Sequence, residues 1–299
     1  MEKPLFAGLC TALITPFSEG KINYPMLEAL IRRQLDAGVE AIVLAGTTGE
    51  SPTLSREERR RLFEAGVRIA QGRCKIIAGT GSNCTKTAIE QSREAEQTGV
   101  DGLLVVTPYY NKATQPGLLM HYTAICDAVR LPVIAYNVPS RTGVDIAVDT
   151  CRELALIPNL AGIKEASGDI SKISRILSQT DLTVWSGNDD QTIPVMALGG
   201  AGVISVASNV IPEKMHALTA CALRGDYPGA AALQHRYQKL MDLLFCQVNP
   251  IPVKAAMKMI GLDCGGCRLP LDGLSPENER KLRVCLDELG IPSYNDKRF

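Results

Sequence analysis

Residues 160–187, LAGIKEASGDISKISRILSQTDLTVWSG, decide how the rest of the chain is read. An apolar run ends in a lysine and a glutamate. A glycine turn and an amphipathic helical pattern follow, and a second apolar run, LTVWSG, closes the segment. That is one strand–helix–strand unit of roughly 30 residues. Apolar runs of the same kind recur at LCTALIT (9–15), AIVLAGT (41–47), KIIAGTG (75–81), GLLVVTP (102–108), PVIAYNV (132–138) and GVISVAS (202–208). They are apolar throughout, as parallel strands covered on both faces should be. Between them lie helical patterns. MLEALIRRQLDAG (26–38) spaces Leu27, Leu30, Ile31 and Leu35 along one face before a glycine stop. Ser55-Arg56-Glu57-Glu58 is a capping box. Eight uninterrupted units predict an α/β fold of the (β/α)8 TIM-barrel type rather than an open sheet. After Ser208 the strand signals stop. PGAAALQHRYQKLMDLLF (228–245), PIPVKAAMKMIG (250–261) and SPENERKLRVCLDELG (275–290) read as helices. The expected organisation is a catalytic barrel over 1–224 and a C-terminal helical extension over 225–299.

Composition narrows the chemistry. The 299 residues carry 32 basic and 32 acidic side chains, a balance that argues against a nucleic-acid or anionic-membrane surface. No apolar run approaches the ~18 residues of a membrane span. The opening MEKPLFAGLC lacks a long apolar signal region. A soluble, cytoplasmic protein is expected. Of the ten cysteines, Cys10, Cys126 and Cys246 sit singly in apolar segments and read as small buried hydrophobes. Cys264-Gly-Gly-Cys267 has redox-pair or half-zinc-site spacing. It follows a helical pattern, however, and has no second Cys or His pair to accompany it.

In a barrel the active site lies at the C-terminal ends of the strands. Candidates are therefore GTTGES (46–51), GTGSN (79–83), TPYYN (107–111), YNVPSR (136–141), Lys164, GNDD (187–190) and GVIS (202–205). There is no P-loop, and the glycine runs do not fit a dinucleotide fingerprint. His121, His216 and His235 lie in helical stretches and form no zinc pattern. No metal and no cofactor are expected. Lys164 suits Schiff-base catalysis. A lysine amine must be neutral to attack a carbonyl, and at an aqueous pKa of about 10.4 fewer than about one in a thousand is neutral at pH 7. Apolar burial disfavours the charged form, and a barrel interior can supply such a shift. The ordinary reading is a solvated lysine, or one paired with Glu165. Lys254, on a helix face, is the rival nucleophile. Tyr136 ends the neighbouring strand and can relay protons; its ordinary reading is a strand aromatic. Thr47 and Thr48, flanked by glycines, can hold a carboxylate. Arg141 can bind a second one bidentately, or sit in a surface ion pair. Whether Glu165 faces Lys164 or a helix behind the sheet is open at this level.

Five motifs stand in register. GTTGES (46–51), TPYYNK (107–112), YNVPSRTG (136–143), GIKEASGD (162–169) and GGAGVISV (199–206) resemble the dihydrodipicolinate synthase / N-acetylneuraminate lyase family. ITPF (14–17) and the final helices extend the resemblance over essentially the whole chain. It implies a class I aldolase-type lyase that needs no cofactor beyond a Schiff base with pyruvate. Arg141 points to the branch that condenses pyruvate with L-aspartate 4-semialdehyde to 4-hydroxy-tetrahydrodipicolinate, in lysine and diaminopimelate biosynthesis. By resemblance, Lys164 carries the Schiff base and Tyr136 is the acid/base. Thr47 links Tyr136 to Tyr110, which reaches in from a neighbouring subunit. Thr48 holds the pyruvate carboxylate, Arg141 the semialdehyde carboxylate, and Ile204 makes a backbone contact nearby. A homotetramer, a dimer of dimers, is implied. Ser51, Asn83 and Tyr109 match residues that bind inhibitory lysine in some members. Arg56 and Arg59 replace histidines of the sensitive members, and Thr87 replaces a glutamate. With Lys86 they make the region more cationic, which predicts weak or absent lysine feedback. Two other readings stay open: another pyruvate-dependent aldolase (an N-acetylneuraminate or 2-keto-3-deoxy-sugar acid lyase), and a non-catalytic barrel that binds a keto acid.

Overall fold

The β-branched and leucine-rich runs form eight short strands in the computed structural model, which describes residues 4–291. They are β1 (Gly8–Ala12), β2 (Ala41–Leu44), β3 (Lys75–Gly79), β4 (Gly102–Val106), β5 (Val133–Asn137), β6 (Leu160–Glu165), β7 (Thr183–Ser186) and β8 (Gly202–Ser205). All pair in parallel in sequence order, and β1 pairs with both β2 and β8, so the sheet closes into a barrel. Side chains alternate across the wall. Cys10, Val43, Ile77, Ile134, Trp185 and Ile204 fill the interior. Its floor is sealed where the Phe6 ring stacks on Trp185 at 4.8 Å and the Trp185 indole N–H donates to the Phe6 carbonyl at 3.2 Å. Leu9, Ile42, Val105, Ile163 and Val184 face outward into the larger core beneath the helices.

The helices are α1 (Tyr24–Asp36), α2 (Arg56–Ala70), α3 (Thr85–Glu96), α4 (Gln115–Cys126), the single turn α5 (Pro139–Thr142), α6 (Val148–Leu154), α7 (Ile170–Gln179), α8 (Thr192–Ala197) and α9 (Pro212–Leu223). Caps explain several starts. The Ser55 hydroxyl accepts from Glu58 N while the Glu58 carboxylate accepts from Ser55 N, the reciprocal box anticipated from the sequence. Asn23 caps α1, which therefore begins at Tyr24, ahead of the run read from Met26. Asp169 caps α7 by accepting from Lys172 N at 2.9 Å. Three further helices follow, α10 (Tyr227–Leu243), α11 (Ile251–Met259) and α12 (Pro276–Glu288). Residues 1–3 and 292–299, parts of the expected barrel and extension, lie outside the described residues.

Two expectations change. The apolar runs outlast their strands by one to three residues. Ala45, directly after β2, takes a left-handed φ of 52° and breaks the ladder. Thr47 and Thr48 therefore stand in a loop above the wall. Cys246 is only half-buried, because the connection Phe245–Asn249 between α10 and α11 lies at the barrel mouth; Cys10 and Cys126 are buried as expected.

Candidate active site

The barrel mouth holds a cavity of about 460 Å³. Lys164, Tyr136, Thr47, Thr48 and Arg141 all line it. Pleating explains the central pair. Tyr136 on β5 and Lys164 on β6 are register partners, so both point inward at one level. Both are buried, and the Lys164 Nζ lies 4.3 Å from the centre of the Tyr136 ring. Lys164 forms no hydrogen bond or ion pair among the described residues, so its nitrogen faces open space. Gly187 makes room for it. A Cβ at that position would stand 3.0 Å from Lys164 Cε and 2.6 Å from the Ala166 Cβ, closer than side chains tolerate.

Asp189 is fully buried beyond the end of β7, and its Oδ2 accepts from the backbone N–H groups of Val206 and Ala207 at 3.0 and 2.9 Å. Burial pushes its carboxyl above the usual range, opposed by those N–H groups and by the charge of Lys164. It thereby fixes the turn after β8, whose Val206 lines the cavity. Ile204 is fully buried in the interior cluster below that turn.

The loop carrying the threonines is held from the C-terminal helices. Glu50 has a left-handed φ of 55° and a buried side chain. Its Oε1 pairs with the Lys254 ammonium at 2.5 Å, and its Oε2 accepts from Arg268 N at 2.8 Å. Lys254, the rival nucleophile, also donates to the Gly266 carbonyl at 3.0 Å and stands 4.3 Å from the Phe17 ring centre. It is engaged in a buried ion pair away from the cavity. Asn249, a contact the sequence reading missed, donates from Nδ2 to the Thr48 hydroxyl at 2.9 Å. Its carbonyl lies 3.4 Å from Nη2 of the otherwise exposed Arg141. Phe245, Gln247 and Val248 complete that wall. Hydrophobic periodicity carries no signal for this contribution, because it comes from a loop about 200 positions away from Thr48 in the chain.

Tyr110 stands apart. It is 89% exposed with a left-handed φ of 74°, and it does not line its own chain's cavity. Among the described residues no hydrogen bond joins Thr47 to Tyr136 or to Tyr110. A side recess of about 230 Å³ shares Thr47, Tyr136 and Arg141 with the main cavity and adds Ser51, Arg59 and Tyr109. Arg59 donates to the Ser51 carbonyl and to Gln91, while Arg56 pairs with Glu94 at 2.5 Å. Thr87 lines a neighbouring recess with both arginines; Asn83 lines neither. Cys264 and Cys267 are held as thiols by burial, pushed up to about 12 and about 11. Among the described residues no cluster of three or more His, Cys, Asp or Glu side chains is arranged to hold a metal ion, and no helix is long and apolar enough to cross a membrane.

The comparisons with known proteins agree with this geometry. A model described as the dihydrodipicolinate synthetase family matches residues 5–289. A 4-hydroxy-tetrahydrodipicolinate synthase of Alkaliphilus oremlandii is 48% identical over 287 residues, 95% of this chain and 98% of that protein. The crystal structure of the dihydrodipicolinate synthase from Aquifex aeolicus superimposes with a TM-score of 0.95 at 46% identity, covering 97% of this chain and 100% of that one. A chloride-inhibited dihydrodipicolinate synthase from Acinetobacter baumannii, complexed with pyruvate, gives a TM-score of 0.94 at 43% identity, with 96% and 99% covered.

Proposed function

The chain belongs to the dihydrodipicolinate synthetase family, and from that premise we propose how its barrel mouth performs the reaction. The enzyme is a 4-hydroxy-tetrahydrodipicolinate synthase, a lyase of lysine and diaminopimelate biosynthesis that condenses pyruvate with L-aspartate 4-semialdehyde. In our reading the Lys164 amine adds to the ketone carbon of pyruvate. Water leaves and an imine forms. Loss of a methyl proton gives an enamine, whose carbon attacks the aldehyde of the second substrate. The amine of that substrate then displaces Lys164 as the ring closes. Each step moves a proton, and Tyr136, whose ring lies against the Lys164 amine, is the group we assign to move it. Thr48, fixed by Asn249, binds the pyruvate carboxylate, and Ile204 supports the same pocket from its backbone. Arg141 receives the semialdehyde carboxylate. No metal or external cofactor takes part.

A single observation carries this reading: a buried, unpaired lysine set against a tyrosine ring in the lining of a 460 Å³ cavity. Tyr110, exposed and in a strained backbone conformation, is the residue we assign to a neighbouring subunit's site. Thr47 completes the relay to it within a homotetramer built as a dimer of dimers. The barrel and the helices after residue 224 act as one catalytic unit in the cytoplasm. Arg59 lends positive charge to the recess near Ser51 and Tyr109, while Arg56, paired with Glu94, lines the neighbouring one. A cationic effector such as lysine therefore binds weakly there, and steady-state rates measured with added lysine check this.

The test of the mechanism is reductive trapping. Wild-type enzyme treated with pyruvate and borohydride should carry a reduced pyruvyl adduct on the Lys164 peptide. Lys164→Ala should give no adduct and lose at least about 10³-fold in turnover. An adduct on Lys254 instead, or none in the wild type, would overturn the assignment.

A further inference from the structure

Glu165 follows Lys164 in the chain but points the opposite way, into the layer between the barrel wall and the helices. Its side chain is fully buried there. Asn137 occupies the same place on the neighbouring strand. It follows Tyr136, and its register partner is Glu165. The Asn137 amide donates to both Glu165 oxygens at 3.0 Å and to Asp145 Oδ1 at 2.7 Å. Its own carbonyl oxygen accepts from Ile146 N at 3.0 Å. Glu165 Oε1 also accepts from Ser167 N at 2.7 Å. Lys172 on α7 is 5% exposed, and its ammonium lies 2.5 Å from Asp145 and 3.4 Å from Glu165. Every side-chain polar atom of Asn137, Glu165 and Lys172 thus has a partner in a buried layer, where a free charge would be costly.

The cluster joins three things the chemistry needs at fixed separation: the strand end bearing Tyr136, the strand end bearing Lys164, and the loop after Arg141 that returns through Asp145 and Ile146. We propose that Glu165, with Asn137, Lys172 and Asp145, is a positioning device that sets the Lys164–Tyr136 spacing from behind the barrel wall. The proposal rests on the Schiff-base reading of Lys164. Glu165 touches no substrate and acts through the residues on either side of it. Its carboxylate reaches partners on β5, α7 and the 166–169 turn at once, so a shorter or uncharged side chain cannot hold all three. Loosening the cluster changes how often the amine and the phenol meet the same carbonyl, and leaves the Thr48 contact to the pyruvate carboxylate alone. The signature is therefore a fall in rate with little change in binding.

The experiment measures kcat, KM for pyruvate and the borohydride-trapping rate on Lys164, in wild type, Glu165→Gln and Asp145→Asn. Each is normalised to the folded fraction from thermal unfolding. Glu165→Gln should lose about tenfold in both kcat and trapping rate, with KM for pyruvate within about threefold of wild type. Asp145→Asn changes only the half-exposed rim of the cluster and tests the idea even if Glu165→Gln does not fold. It should lose about threefold in kcat with its melting temperature nearly unchanged. Folded variants with wild-type kcat and trapping rate would overturn the proposal, as would losses that appear in KM alone. A wild type that gives no adduct would instead sink the Schiff-base reading beneath it.

Discussion

At Lys164 the chain places an ammonium-bearing side chain where hydrocarbon surrounds it, and at Glu165 it does the same with a carboxylate. The two residues solve the problem differently. Glu165 is fully paired, whereas Lys164 has only the face of Tyr136 and an open cavity. An unpaired buried charge is tolerated where function uses it. Arg141 is a third case, exposed and with one long contact to the Asn249 carbonyl, so its loss threatens the fold little. Arg141→Ala should raise KM for aspartate semialdehyde about 10–100-fold, the worth of a charge-assisted hydrogen bond or two, while adduct formation with pyruvate alone stays at the wild-type rate. Steady-state kinetics beside the trapping assay separate the two effects. Equal losses in both would mean that Arg141 does not discriminate between the substrates.

Among the elements, the contact between α3 and α4 has a stability that depends on pH. His121 on α4 is buried, and its Nδ1 lies 2.9 Å from the Thr85 hydroxyl at the start of α3. Burial lowers its pKa from 6.5 to about 4. Between those values the unfolded chain takes up a proton that the folded chain refuses. The stability contribution is therefore present above pH 6.5 and is lost as the pH falls towards about 4, by up to about 3 kcal/mol. Urea unfolding at about pH 7 and about pH 4.5 should show that loss, and His121→Gln should flatten the slope. An unchanged slope in the variant would assign the acid sensitivity to other groups. The helical setting of all three histidines was readable in advance. The partner of His121 was not, because Thr85 is 36 positions away.

For the whole molecule, the decisive residue is Tyr110, which its own barrel leaves bare. If it completes a neighbour's site, two separately dead proteins should rescue each other. Lys164→Ala and Tyr110→Phe chains, mixed, dissociated and reassembled, form mixed pairs in which one site regains both residues. Random pairing then restores about a quarter of the wild-type activity. Activity that stays at the sum of the two parents would place Tyr110 outside the neighbour's chemistry.

The sequence by itself determined the barrel, because short runs that are apolar throughout, alternating with a 3.6-residue pattern, leave few packings for eight units. It also pointed to the mouth of the barrel as the reactive end and put Lys164 there as a candidate, since both follow from strand order. Only the tertiary structure decided that Lys254 is spent on Glu50, that Asn249 orients Thr48, that Gly187 clears the space beside Lys164, and that Glu165 faces α7. The first two join segments about 200 positions apart, and the last two join neighbouring elements. Local periodicity fixes which way a side chain points, but only closure of the barrel brings its partner within 3 Å.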